Sequence, residues 1–350
     1  MAISAVNEVH PDGDTLFILR HSDAPFATGE FEEPWPNALP AYQTEASKRY
    51  EASVLPKSHE TVDEHSSLVQ ASPQSSHLRF RLSSALLINT SSYFKKSLSE
   101  QWNAQDPESG YKWTLVGKNW DGEAFLLLMN ILHNKARAVP LKIELEMFAK
   151  VAVLVDYYGC HEVVELWADK WSSLGATLVN SYYSRDLLFK LTISWVFRQR
   201  ETFRGATKVA IRASRGPIHT LDLPIPKLVV DAIEEVRISS IRMLIQGIER
   251  QRGVLNVRGV DLYGRPCLYT QLGYIDQNLA QVGIKPLPSE PYQGFSLEDL
   301  GSAIDRFDNS VKCTCWSRNH LQDLKGLLKR LVDDAFRLSA DGIGISRFEG

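Results

Sequence analysis

The sequence predicts an α+β protein: a small sheet with clustered helices, followed by an all-helical extension. Three observations carry this. In DGDTLFILR (residues 12–20) Leu16 and Ile18 alternate with Phe17 and Leu19, and in LRFRL (78–82) Phe80 and Leu82 alternate with Arg79 and Arg81, the period of a strand. Beyond residue 83, apart from one further alternating run at 111–116, the apolar residues instead recur near every 3.6 positions, the period of amphipathic helices. Between the two strand patterns, Pro25, Pro34, Pro36, Pro40, Pro56 and Pro73 break any periodicity, so residues 21–76 are expected to be a disordered insertion between strands of one sheet.

Composition sets the outer limits. A chain of 350 residues, 44% hydrophobic, accommodates about two domains of roughly 150 residues. Its 39 basic and 42 acidic residues leave a net charge of -3, which provides no global field to attract nucleic acid or an anionic membrane. No signal-peptide pattern opens the chain, and its longest apolar runs, FLLLM (125–129) and VAVLV (151–155), fall far short of the roughly 20 residues of a membrane span. The expectation is an intracellular protein, cytoplasmic or nuclear, without membrane contact. Four cysteines do not make a secreted disulfide framework, and the Asn89–Thr90–Ser91 sequon falls in a predicted helix, where chance explains it.

The elements follow in order. Asp12, Gly13 and Asp14 form a turn before the first strand, which is apolar on both faces and so buried on both. Within the insertion, FEEPWPNALPAY (31–42) has aromatic residues able to clip onto the fold or to belong to a solvated linker. HETVDEH (59–65) lacks the H-E-x-x-H spacing of a zinc helix and reads as loop. After the Leu78–Leu82 strand, Ser83 or Ser84 caps a helix reaching Ser99, with Leu86, Leu87, Tyr93, Phe94 and Leu98 on the buried stripe. YKWTLV (111–116) alternates as a further strand with Trp113 and Leu115 on one face. Asp121 caps a helix to about His133 carrying Phe125, Leu128, Met129 and Leu132. After Pro140, a stripe of Leu145, Phe148, Ala149, Ala152 and Val153 ends at Gly159, a C-terminal cap, and HEVVELWADKW then offers Val164, Trp167 and Trp171. Phe80, Phe94, Leu128 and Phe148 should meet in one core.

From Ser181 to Arg252 the pattern is helical. Ser184 caps DLLFKLTISWVF, and Pro226 starts a helix carrying Leu228, Val229, Ile233, Val236, Leu244 and Ile248. The last segment holds CLYTQLGYIDQNLAQVGIKPLP, a capping box of Ser296 with Asp299, and a final helix with Leu321, Leu324, Leu328, Leu331 and Phe336. No internal repeat is present.

Several of these stretches resemble fungal BTB/POZ domains: the "pdGD" opening with its hydrophobic strand, the strand leading into SSALLINTSSYFKKSL, and the run of Ala152 to Gly159 ending in Asp-Tyr-Tyr-Gly. LTISWVF and LPIPKLVVDAIEEVR resemble the helical extension of filamentous-fungal relatives. The resemblance covers residues 10–20 and 77–250, and the C-terminal part more loosely. It implies a BTB/POZ-like domain of residues 10–20 plus 77–174, a helical extension over 175–258 and a small helical region over 259–350. It also implies protein binding, either by self-association as a homodimer or as an adaptor for a cullin-type ligase scaffold. The absence of kelch or MATH modules, and of the extra N-terminal helix that strengthens dimers in some relatives, weakens those two specific assignments.

Two constellations invite chemistry. Cys267, Cys313, Cys315 and His320 have the ligand types and number for a closed, structural zinc site, although C-x-C spacing is not a finger pattern; packed thiols in a helical core are the alternative. Such a site would stabilise the fold without supporting a reaction. The segment 190–215 holds Lys190, Arg198, Arg200, Arg204, Lys208 and Arg212 interleaved with Trp195, Phe197 and Phe203. It fits either a phosphate-binding surface, making the protein a nucleic-acid-associated regulator, or a solvated helix face paired with Asp231, Glu234 and Glu235. The near-neutral charge favours the second. No phosphate-binding, dinucleotide or nucleophile-elbow motif occurs, and Cys160 beside His161 suits capping and packing better than catalysis, so no enzyme and no catalytic residue is expected.

Overall fold

The structure, a computed structural model, describes residues 6–29, 77–99, 110–176, 182–258, 267–308 and 320–349. The expectations for FEEPWPNALPAY and HETVDEH lie outside the described residues. The chain is α+β, with a four-stranded sheet in the order β1-β3-β2-β4 formed by β1 (Val6–Glu8), β2 (Thr15–Arg20), β3 (His77–Leu82) and β4 (Trp113–Lys118). β2 lies antiparallel to β3 with Phe17 opposite Phe80, and parallel to β4 with Phe17 opposite Leu115. β2 is central, and Thr15, Leu16, Phe17 and Leu19 are buried on its two faces as the double alternation requires. β1, pairing parallel to β3, was not expected, because Val6-Asn7-Glu8 has too few apolar residues to alternate.

The predicted helix from Ser84 to Ser99 is instead two, α1 (Ser84–Thr90) and α2 (Ser92–Ser97). Ser91 divides them in an extended conformation, where its hydroxyl accepts from Phe94 N–H at 3.1 Å and donates to the Tyr158 carbonyl at 2.5 Å. A serine whose side chain serves the backbone competes with helix propagation, and here it also ties α2 to the end of a distant helix. Leu87, Phe94 and Leu98 are buried, but Tyr93 faces outward. The start of α1 is held from elsewhere in the chain. Asp14 accepts from Ser84 N–H and hydroxyl at 2.8 and 2.7 Å, and Ser83 N–H donates to His133 Nε2 at 2.9 Å.

α3 (Gly122–Leu132) is capped by Asp121, which accepts from Ala124 N–H at 2.9 Å, and buries Phe125, Leu128, Met129 and Leu132. α4 (Leu145–Tyr158) ends at Gly159 in the left-handed region, φ 59°, where an added Cβ would meet Ser92 Oγ at 2.4 Å. α5 (His161–Trp171) buries Val164 and Trp171, whose indole donates to the Pro140 carbonyl at 3.0 Å. Phe80, Phe94, Leu128 and Phe148 are fully buried in one core.

α6 (Arg185–Val196), capped by Ser184, packs on α4. The segment 190–215 is not one helix: a left-handed turn at Arg198, φ 54°, separates α6 from α7 (Arg200–Ala213). α8 (Lys227–Arg258) starts directly after Pro226 and runs 32 residues, about 48 Å. Leu228, expected on its buried stripe, is 51% exposed, because the first turn overhangs the core. Val229 and Ile233 belong to the first core, whereas Ile241, Leu244, Ile245, Ile248 and Leu255 belong to a second. That second core is completed by α9 (Cys267–Gln281), α10 (Leu297–Asp305, with Ser296 accepting from Asp299 N–H at 3.0 Å) and α11 (His320–Leu338). α11 buries Leu321, Leu324 and Leu328, with Leu331 and Phe336 packed at the margin.

Arg237 occupies the joint on α8 and is fully buried. Its guanidinium spends all five N–H groups: two on the Glu234 carboxylate at 2.7 Å each, and three on the carbonyls of Pro291 (2.8 Å), Tyr292 (3.3 Å) and Phe295 (3.1 Å). Only complete pairing makes such a buried charge tolerable.

Candidate interaction surface

An aromatic ladder lies over the ends of α2 and α4. Tyr93 of α2 stands 5.3 Å from Tyr157 of α4, and Tyr157 stands 5.0 Å from Trp120 in the turn before α3. Beneath them Tyr158 stacks on Phe94 at 4.8 Å, anchoring the ladder in the first core. Tyr93 and Tyr157 remain 37% and 51% exposed. The neighbouring Tyr93 side chain, with partial burial, raises the Tyr157 phenol above its ordinary range. Rigid aromatic side chains presented to solvent on a packed base offer apolar area and polar tips together, the combination enriched at protein interfaces.

Beside Trp120 opens a pocket of 170 Å³ walled by Phe26, Val153, Leu221 and Leu223, with Lys150 and Asp121 at its edge. It is smaller than the roughly 300–1,000 Å³ of drug-sized sites and suits a single side chain. Lys150 Nζ bonds Asp121 at 2.9 Å and Glu146 at 3.2 Å, and Arg185 bonds the other Glu146 oxygen at 2.9 Å while donating to the Phe26 carbonyl at 2.7 Å. Burial works against each of these charges, but the hydrogen bonds and opposite charges outweigh it, lowering Asp121 and Glu146 and raising Lys150. Charges neutralised this way hold α3, α4 and α6 together.

On the other side of α2, a polar groove of 320 Å³ runs along Asn89, Thr90, Ser92 and Lys95 to Gly159, His161 and Glu162. Cys160 is buried beneath it, its thiol pushed up to about 12 by desolvation, so no thiolate nucleophile forms there. Its side chain makes no capping bond to α5; it packs in the core and its thiol donates to the Val155 carbonyl at 4.0 Å. His161 Nε2 lies 3.7 Å from an Asp156 carboxylate oxygen.

The zinc candidates Cys313 and Cys315, and the side chains of Cys267 and His320, lie outside the described residues. Among the described residues no three His, Cys, Asp or Glu side chains cluster to hold a metal, and no helix is long and apolar enough to cross a membrane. The basic segment is divided by its surroundings. Lys190 is buried, its ammonium pushed down by desolvation. Arg198 stacks on Trp195 at 4.7 Å, Arg212 donates to Ser339 Oγ (2.8 Å) and the Phe336 carbonyl (3.1 Å), and Arg215 pairs with Asp299 at 2.9 Å. The acids expected opposite this segment are engaged elsewhere: Asp231 with Lys227, Glu234 with Arg237 and Glu235 with Arg347. Helix periodicity shows which residues are polar but not which distant polar residues they meet.

Sequence reasoning read Tyr157 as part of a core helix and passed over Trp120; only the alternation of outward Tyr157 with inward Tyr158 would have marked the ladder. Comparison with family models, with curated proteins and with solved structures finds no match to this chain.

Proposed function

We propose that this chain is a non-catalytic protein-interaction module whose first unit is BTB/POZ-like, acting by self-association or as an adaptor for a cullin-type ligase scaffold. The observation that carries the reading is the Tyr93–Tyr157–Trp120 ladder, exposed on a buried aromatic base. Further support comes from the element order, in which β2, β3, α1, α2, β4, α3, α4 and α5 follow the succession of that family. The phosphate-binding alternative is weakened, because Arg212 and Arg215 are occupied by contacts to α10 and α11. The test is the solution mass of the full chain across a concentration series, together with capture by an immobilised cullin scaffold. Association by either route is expected to fall by about tenfold or more in Tyr157→Arg, with melting unchanged. A monomer at every concentration that also ignores the scaffold would remove the proposal.

A further inference from the structure

After α11, which belongs to the second core, the chain turns back to the first. Gly342 makes this possible: its φ is 65°, and an added Cβ would lie 2.1 Å from the Arg204 carbonyl oxygen. From there the strap runs along α7. The Thr207 hydroxyl accepts from Ile343 N–H at 2.8 Å and lies 3.3 Å from the Ile343 carbonyl and 3.0 Å from that of Arg204. Ile343 and Ile345 are 4% and 1% exposed and join the first core, alongside Phe203, Ala206 and Ala210 of α7. A short 3-10 turn, Ile345–Phe348, then sets the Phe348 ring 6.1 Å from Trp195 and 6.2 Å from Phe203, and Arg347 reaches Glu235 of α8 at 3.3 Å.

This is how a groove holds a peptide. Alternate apolar residues enter the core, a side-chain hydroxyl satisfies the backbone, an aromatic residue closes one end and a charge pair at the rim sets direction. The strap contributes no strand to the sheet and no side chain to the second core. Ser346 and Arg347 between its anchors are exposed. Two buried side chains, one ring, the Thr207 bonds and a rim ion pair hold the segment, but beyond its single 3-10 turn it has no backbone ladder of its own, which places it toward the low-stability end of a fold, able to open while α6, α7 and α8 stay formed.

We infer that the α7 groove, floored by Phe203 and Thr207 and closed by Trp195, is a peptide-docking site for the pattern Ile-x-Ile-x-x-Phe. The chain's own residues 343–348 fill it in cis, so a segment of the same chemistry in another polypeptide gains access only by displacing the strap. Because the competing segment is tethered, its effective concentration is high and the closed groove discriminates strongly against weak ligands.

The test uses the full chain carrying Ile343→Asp and Ile345→Asp, probed with a labelled peptide of residues 341–349 and followed by fluorescence anisotropy. The expected result is saturable binding to the doubly substituted chain, at least about tenfold weaker binding to the unsubstituted chain, and none by a peptide carrying the same two substitutions. A folded variant that ignores the peptide, or equal binding by both chains, would overturn the inference. Hydrogen exchange on the unsubstituted chain provides a second measurement that does not depend on the variant folding. The Ile343 amide is expected to exchange faster than the amides from Phe203 to Ile211. Equal protection would mean that the strap opens only with global unfolding, which also overturns it.

Discussion

The two cores of this molecule are built from different material. The first joins sheet to helices through aromatic contacts between residues distant in sequence: Phe17 with Phe125 at 4.5 Å, Phe80 with Phe125 at 5.0 Å and Phe94 with Tyr158 at 4.8 Å. The second is mainly aliphatic, with Ile241, Leu244, Leu300 and Leu328 among its fully buried members and Tyr274 edge-on to Phe307 at 6.2 Å. They also desolvate opposite titratable groups. His133 lies under the first core's sheet, with Nδ1–H donating to the Met129 carbonyl at 2.8 Å and Nε2 accepting from Ser83, an arrangement available only to the neutral ring. Glu298 lies where α10 meets the first unit, desolvated, beside Asp299 and only partly compensated by Arg212. The lesson is that one chain can combine an acid-sensitive unit with an alkali-sensitive one, with one long helix serving both cores.

The joint is where the comparison breaks most easily. Arg237→Ala leaves the half-buried Glu234 without its partner, three carbonyls without donors and a cavity where the guanidinium lay, and is expected to cost about 3 kcal/mol. Calorimetry should then resolve two transitions where the intact joint gives one; a single transition at an unchanged temperature would show that the cores do not communicate through Arg237.

The pH dependence comes next. Burial, aided by the nearby His10 and Lys135 charges, lowers His133 from 6.5 to about 4 against the opposing Met129 bond. Its contribution is complete above pH 6.5 and is lost as pH falls through 4, about 3 kcal/mol in all. Burial and Asp299 raise Glu298 from 4.5 to about 7, so its contribution is complete below pH 4.5 and is lost as pH rises through 7, about 2–3 kcal/mol. Between pH 5 and 7 the two slopes oppose, and unfolding stability should be nearly flat. Glu298→Gln removes one slope, and denaturant titrations should then show stability falling by about 2 kcal/mol from pH 7 to 5. If the variant's profile stays flat, His133 is not the acid-sensitive group.

Glycines sharpen the contrast at smaller scale. Gly159→Ala combines a left-handed backbone with a collision against Ser92 and should lower first-unit stability by about 1–2 kcal/mol in thermal melts. Gly273→Ala, within α9 and with open space around it, should raise second-unit stability by about 0.5–1 kcal/mol. A loss of stability from Gly273→Ala would reveal a close neighbour for that face of α9.

Features decided within a few residues were readable in advance. Asp121, Ser184 and Ser296 cap the helices expected of them, and Gly159 ends its helix, because the donor and acceptor lie within a turn of each other. Ser91 was not readable as a break: its spacing suits a continuous helix, and its hydroxyl leaves that role only because Tyr158 arrives beside it. Tyr93 and Leu228 likewise satisfy the apolar repeat and are nevertheless exposed, since the repeat defines a stripe but not where the opposing surface ends.

The residues alone determined the α+β class, most helix starts and stops, and the set of side chains that had to leave water, because backbone capping and hydrophobic periodicity act over one or two turns. Tertiary structure decided that α8 serves two cores, that Arg212 and Arg215 face inward partners, that Tyr157 is displayed while Tyr158 is buried, and that residues 343–348 return to α7. Those outcomes depend on contacts between groups dozens of residues apart, whose encounter is set by the packing of whole elements rather than by any local pattern.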